Sequence, residues 1–388
     1  MSAGGDLAAG LLAQAEQATG LADFGPDDFR DGLEVLCRST LAEAQLTELG
    51  LLAFQGNVLA NLMNRLKVVD HVARHPEVVT ERIEAPLFVI GMFRAGTTLL
   101  SNLLDQDPRN RALIRWEAMD SAPPPTLADA RSGPRVEAAR IGADMLEQLN
   151  PAMKAIHHEE VDGPTECIAV MAQDFKSLTW EAIANIPTYG QWLLGAEQKS
   201  TYLYHRLVLQ VLQSGGVRGR WTLKSPHHAI ALDALTAVYP DAKLVLLHRD
   251  PAVLCASVFS LIRTLSGTFT DADHTRYIAE HWTDVLATSI DRINTFRDAH
   301  PQHPILDVQY ADLVHDPVET VARICAATGD ALADDARAAM RTYVDANSRT
   351  KHGVHAYDLS PYGLSAEAVR ERFAAYTARY DVPVETGR

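Results

Sequence analysis

The stretch Gly91-Met92-Phe93-Arg94-Ala95-Gly96-Thr97-Thr98 has the residue types and spacing of a loop that wraps an anion. Its two glycines let backbone N–H groups turn inward, as in the nucleoside-triphosphate loop G-x-x-x-x-G-K-[ST]. There, a lysine follows the second glycine. Here Thr97 stands in that place, and Arg94 is the nearest cation. Four more groups could act with such a loop: Lys224 in "LKSP", Arg249 in "HRDP" with Ser257 beyond it, Glu117 in "RWEAMD", and the run His157 to Glu160, "HHEE".

The loop alone admits three readings. It is a plain strand-to-helix turn, a degenerate ATP or GTP site, or the seat of a phosphosulfate, which needs donors and one cation but no Mg²⁺. Against the second stand the missing lysine and a strand that ends in His248-Arg249-Asp250 rather than in a plain metal-binding aspartate. "HRD" also occurs in kinase catalytic loops. The asparagine required five residues after Asp250 is Cys255, and no D-F-G follows. The H-E-x-x-H spacing of a zinc helix is absent from "HHEE".

These groups need elements to position them. "APLFVIG", Ala85 to Gly91, is a continuous apolar run suited to a strand buried on both faces, and a helix starts near Thr97. Trp221 to Lys224, Lys243 to His248 and Ile305 to Tyr310 resemble partner strands. Pro226 and Pro251 sit at first-turn positions of the helices that follow two of them. Alternating strands and helices predict an α/β fold with a P-loop-like parallel sheet flanked by helices. Apolar periodicity from Asp6 to about His75 predicts a helical N-terminal region, residues 1–84, packing on an α/β domain of residues 85–388. A helical insertion, residues 134–215, is placed to build an acceptor site. Its Phe175, Trp180, Tyr189 and Trp192 suit a lipophilic or aromatic acceptor and suit core packing as well.

Composition narrows the partners. Among 388 residues, 35 Lys+Arg against 50 Asp+Glu give a net charge of −15, which argues against nucleic acid or an anionic membrane over a broad surface. Four scattered cysteines (Cys37, Cys167, Cys255, Cys325) form no C-x-x-C pair and predict neither zinc nor a disulfide framework. The N-terminus lacks a basic signal-peptide region. No apolar run approaches the roughly 18 to 20 residues that span a bilayer. A cytoplasmic protein is expected; the oligomeric state is not legible.

"PLFVIGMFRAGTTLLSNLLDQDP", "WTLKSPHHAIALDALTAVYPDAKLVLLHRDPAVLCASVFSLIR" and "VQYADLVHDP" resemble, in this order, the successive motifs of PAPS-dependent sulfotransferases. The likeness is to bacterial sulfotransferase-family proteins and, in motif layout, to tyrosylprotein sulfotransferases. It implies transfer of a sulfuryl group from PAPS to a hydroxyl of a small or medium organic acceptor, with release of PAP and no metal. It implies that Arg94, Ala95, Gly96, Thr97, Thr98 and Leu99 cradle the 5′-phosphosulfate, and that Arg249 and Ser257 hold the 3′-phosphate. Tyr310 would contact the adenosine, and Lys351, near Arg349 and Gly353, would close over the phosphate. Lys224 would neutralise charge on the sulfonate. For the acceptor proton the resemblance offers Glu117 first and His158 second. The alternatives are a P-loop kinase and a nucleotide-binding module that has lost its chemistry.

Overall fold

A computed structural model describes residues 3–149, 159–347 and 358–385. Five parallel strands form one sheet: β1 (Leu87–Gly91), β2 (Asn110–Ala112), β3 (Arg220–Lys224), β4 (Lys243–His248) and β5 (Ile305–Gln309), in the order β2-β3-β1-β4-β5. Every residue of β1 is buried, as a central strand covered on both faces requires. The first strand lies in the middle, with β3 on one side and β4 on the other. In open parallel sheets, the crevice beyond the strand ends where the order reverses is where ligands bind. The loop after β1 and the turn after β4 flank that crevice.

Four of the five strands are those the apolar runs predicted, within a residue or two at their ends. The fifth, β2, is three residues long and carries Asn110 and Arg111, so it has no apolar signature; its register on β3 is set by Asn110 opposite Arg220.

The N-terminal helices Ala3–Thr19, Arg30–Glu43 and Glu48–Arg74 share one hydrophobic core with the sheet and the insertion. Close backbone approach fixes them there. A Cβ at Gly32 would lie 2.6 Å from the Phe175 carbonyl oxygen. Arg65, buried between the rings of Phe29 and Tyr204 at 4.3 and 4.4 Å, donates to Phe24 O, Pro26 O, Gln173 O and the Asp174 carboxylate. One guanidinium thus satisfies carbonyls of the N-terminal region and of the insertion together. Phe175, Trp180 and Tyr189 are fully buried in this core, which accounts for three of the four aromatics that the sequence left between packing and acceptor binding.

Candidate functional site

The loop after β1 is shaped by two positive backbone angles. Gly96, at φ +95°, stands just before the helix Thr97–Leu104, and Arg94 takes φ +68°. A Cβ at Gly96 would come within 2.6 Å of the Tyr310 ring, so only glycine lets that ring close over the loop. At Gly91 a Cβ would meet Thr97 Cγ2 at 2.9 Å. The result is a backbone cradle opening onto a helix N-terminus, whose first N–H groups lack intrahelical partners.

At one end of the crevice four predicted residues meet. Arg94 Nε donates to Ser257 Oγ at 2.9 Å, and Arg249 Nη1 donates to the Arg94 carbonyl at 2.8 Å. The Arg249 guanidinium lies over the Tyr310 ring at 3.9 Å. Arg94, expected over the phosphosulfate loop, therefore reaches sideways to join Ser257 and Arg249. The Glu385 carboxylate faces Arg249 in a bidentate pair, at 2.7 and 3.1 Å. Planar two-point capture of an oxyanion is the geometry a guanidinium also offers phosphate. The neighbouring Asp250 caps the helix Pro251–Gly267 through the Ala252 N–H at 2.9 Å. Its carboxylate also accepts from Arg370 and from the Glu385 N–H, both at 2.8 Å, tying the C-terminal segment to this end.

At the other end stands Lys224, the last residue of β3 and 1% exposed. Its Nζ donates to Thr98 Oγ1 of the loop helix at 3.4 Å, to Glu159 Oε1 at 3.2 Å and to Glu166 Oε1 at 3.3 Å. Burial works against the ammonium, but Glu166 and Glu159 outweigh it and raise the lysine above its ordinary range. The segment carrying both acids is docked by backbone: Arg115 N–H to Gly163 O, Thr165 N–H to Leu113 O, and Cys167 N–H to the carbonyl of Lys224 itself, at 3.0, 2.8 and 2.9 Å.

Glu117 does not contact this cluster. It is fully buried, and Arg111 Nη2 donates to both of its oxygens at 2.7 Å. Arg111 is held in turn by the Ala112 carbonyl and by the Trp221 ring at 4.9 Å. Burial raises the Glu117 carboxyl above its ordinary range, and Arg111 only partly offsets this. The pair lies between β2 and the helix Arg115–Met119, fully buried, with Arg111 on both carboxylate oxygens. Of the remaining expected residues, Ala95 is buried beneath the loop and Leu99 packs on the core. His158, Arg349, Lys351 and Gly353 lie outside the described residues. His227 and His228 are buried in the turn Pro226–Ile230, held neutral by burial and bonded to Gln198 and Tyr202.

The sequence reading missed Glu159, Glu166 and Glu385. Glu159 lies in the quoted "HHEE", where the adjacent histidines were the conspicuous feature. Glu166 and Glu385 are isolated acids in stretches without periodicity.

The sequence model of the sulfotransferase family matches residues 86–334, and the chain belongs to that family. A sulfotransferase from Mycobacterium avium, STF9, has the same fold: TM-score 0.87, 31% identity, 98% of each chain covered. STF1 from Mycobacterium tuberculosis superposes with a TM-score of 0.84 and 33% identity over 95% of this chain and 98% of that one. Among curated proteins, the omega-hydroxy-beta-dihydromenaquinone-9 sulfotransferase Stf3 of Mycobacterium bovis and of Mycobacterium tuberculosis is 25% identical over 256 residues. That match spans 62% of this chain and 62% of the relative's length. Among the described residues no helix is long and apolar enough to cross a membrane, and no cluster of His, Cys, Asp or Glu has the geometry of a metal site.

Proposed function

We propose that the protein transfers a sulfuryl group from PAPS to a hydroxyl of an organic acceptor and releases PAP. The observation that carries this reading is the Arg94–Ser257–Arg249 group at one end of a glycine cradle whose other end is Lys224. The two separate cationic ends suit the two anionic ends of PAPS. The fit is supported by the Glu385 carboxylate, to whose two oxygens the Arg249 fork donates, and by the room that Gly91 and Gly96 leave at the backbone.

In this reading Arg249, Arg94 and Ser257 hold the 3′-phosphate, with Tyr310 beside the nucleoside. The loop from Ala95 to Leu99 donates backbone N–H groups to the 5′-phosphosulfate. Thr98 and Lys224 sit where charge grows on the bridging oxygen, and a buried ammonium there is worth far more than one in water. The bound donor supplies an electrophilic sulfur: the bond from sulfur to the 5′-phosphate oxygen breaks as the acceptor oxygen bonds to sulfur, and the electron pair leaves on the phosphate.

A lipophilic acceptor is favoured. The curated relatives are named for an omega-hydroxylated menaquinone. A cytoplasmic setting accords with four free cysteines, three of them buried, with burial pushing Cys37 and Cys255 up to about 12.

Thermal-shift measurements with PAP, ATP, GTP and ADP, each with and without Mg²⁺, test the reading. PAP at 100 times its dissociation constant stabilises the fold by about 2.7 kcal/mol without Mg²⁺. A magnesium-dependent preference for ATP points instead to nucleotide-triphosphate chemistry.

A further inference from the structure

We infer that Glu166 is the general base that takes the acceptor proton, with Glu159 positioning it through Lys224. The inference rests on the sulfuryl-transfer reading above and names a residue within that site. Thr98 belongs to the loop helix and contacts Lys224, so the carboxylates on Lys224 lie at the sulfuryl end of the crevice and not at its adenosine end.

The two carboxylates differ in how they are held. Glu159 has Oε1 on Lys224 and Oε2 on the Thr165 hydroxyl, at 3.2 and 2.9 Å, and its side chain is 9% exposed. Glu166 is bound by Lys224 through Oε1 alone; Oε2 accepts no hydrogen bond among the described residues, and the side chain is 15% exposed. Its position is nonetheless fixed, because the next residue, Cys167, donates its N–H to the carbonyl of Lys224. One oxygen is thus anchored to the lysine that meets the sulfonate, while its twin is open to a hydroxyl.

Charge favours the same assignment. Lys224 faces two carboxylates, and a bound sulfonate would add negative charge beside them. Taking up a proton relieves it. As the acceptor oxygen bonds to sulfur, its O–H proton passes to Glu166 Oε2, the sulfur–oxygen bond to the 5′-phosphate breaks, and Lys224 stays charged beside the leaving oxygen. The groups facing Glu166 are Lys224 from β3, Glu159, and the neighbouring Cys167 thiol, which burial holds protonated. Glu117, with both oxygens on Arg111, cannot do this without breaking a buried pair.

The test compares Glu166→Gln, Glu159→Gln and Glu117→Gln in the full chain, with labelled PAPS as donor. The acceptors are 2-naphthol and, independent of acceptor choice, water. PAP affinity is measured by calorimetry and the pH dependence of kcat is followed for each variant. Glu166→Gln keeps PAP affinity within about threefold, lowers kcat by about 10² to 10⁴ and loses the acidic limb of the pH profile. Glu166→Asp recovers part of the rate and the limb. Glu159→Gln lowers kcat by about tenfold and keeps the limb. Glu117→Gln keeps the limb and the rate per folded molecule. Normal turnover by Glu166→Gln, or loss of the limb in Glu117→Gln instead, overturns the assignment while leaving the PAPS reading in place. Failure of the wild-type protein to bind PAP overturns the reading beneath it.

Discussion

The two ends of the crevice hold their carboxylates in different ways. At the proposed nucleotide end, Arg249 pairs with the Glu385 carboxylate, 31% exposed on the C-terminal segment, while the Arg94 side chain donates to Ser257. At the transfer end, one buried ammonium, Lys224, faces two carboxylates, Glu159 and Glu166. The first arrangement holds its carboxylate where solvent can replace the contact. The second buries an ammonium against two carboxylates, where we propose that the acceptor proton is taken up. In the proposed reading the first end holds the donor and the second carries out the transfer.

The contrast can be broken first at the transfer end, where the largest effect is expected. Lys224→Ala removes the ammonium beside the leaving oxygen and is expected to lower kcat by about 10² to 10³, while PAP affinity, set mainly at the other end, changes less. Single-turnover rates beside calorimetric PAP titrations separate the two. Equal losses in rate and PAP affinity would show that the two ends do not divide the work.

At the nucleotide end, Arg249→Ala is expected to weaken PAP by about 10- to 150-fold, corresponding to roughly 1.5–3 kcal/mol for a charge-assisted contact. Adenosine 5′-phosphosulfate, which has no 3′-phosphate, should bind the variant and the wild type alike. A parallel loss for both ligands would assign Arg249 to the loop carbonyl of Arg94 that it also braces.

The smallest effect sharpens the comparison. Glu385→Gln removes the carboxylate that shares the Arg249 fork and is expected to tighten PAP by a fewfold. An ion pair this exposed contributes only about 0–1 kcal/mol. Competition titrations at low and high salt measure it, and the gain should shrink as salt screens the pair. Weaker PAP binding would mean that Glu385 orders the site instead of competing for it.

How much of this was legible in the sequence follows the same division. The nucleotide end is built on strand ends, and strands buried on both faces announce themselves as apolar runs; Arg94, Arg249 and Tyr310 lie at or just beyond such runs, and Ser257 lies in the helix after β4. The transfer end is legible only in Lys224. Its carboxylates arrive on a docked segment whose partners are backbone atoms of residues 113–115 and 224, contacts that leave no periodic trace. Glu117 illustrates the opposite hazard. Its spacing from Arg94 fits a catalytic role, but Arg111, on a strand too short and polar to be recognised, claims both oxygens. Sequence spacing gives distance along the chain; it does not say which way a carboxylate faces once an unrecognised strand stands beside it.

In the proposed reading the Arg94–Ser257–Arg249 group is the seat of a 3′-phosphate. Calorimetric titration with PAP and with AMP, which differ by that phosphate alone, tests it most directly. Without Mg²⁺, PAP is expected to bind at least about tenfold more tightly than AMP, as a charge-assisted phosphate contact requires. Equal affinities for the two would contradict the account.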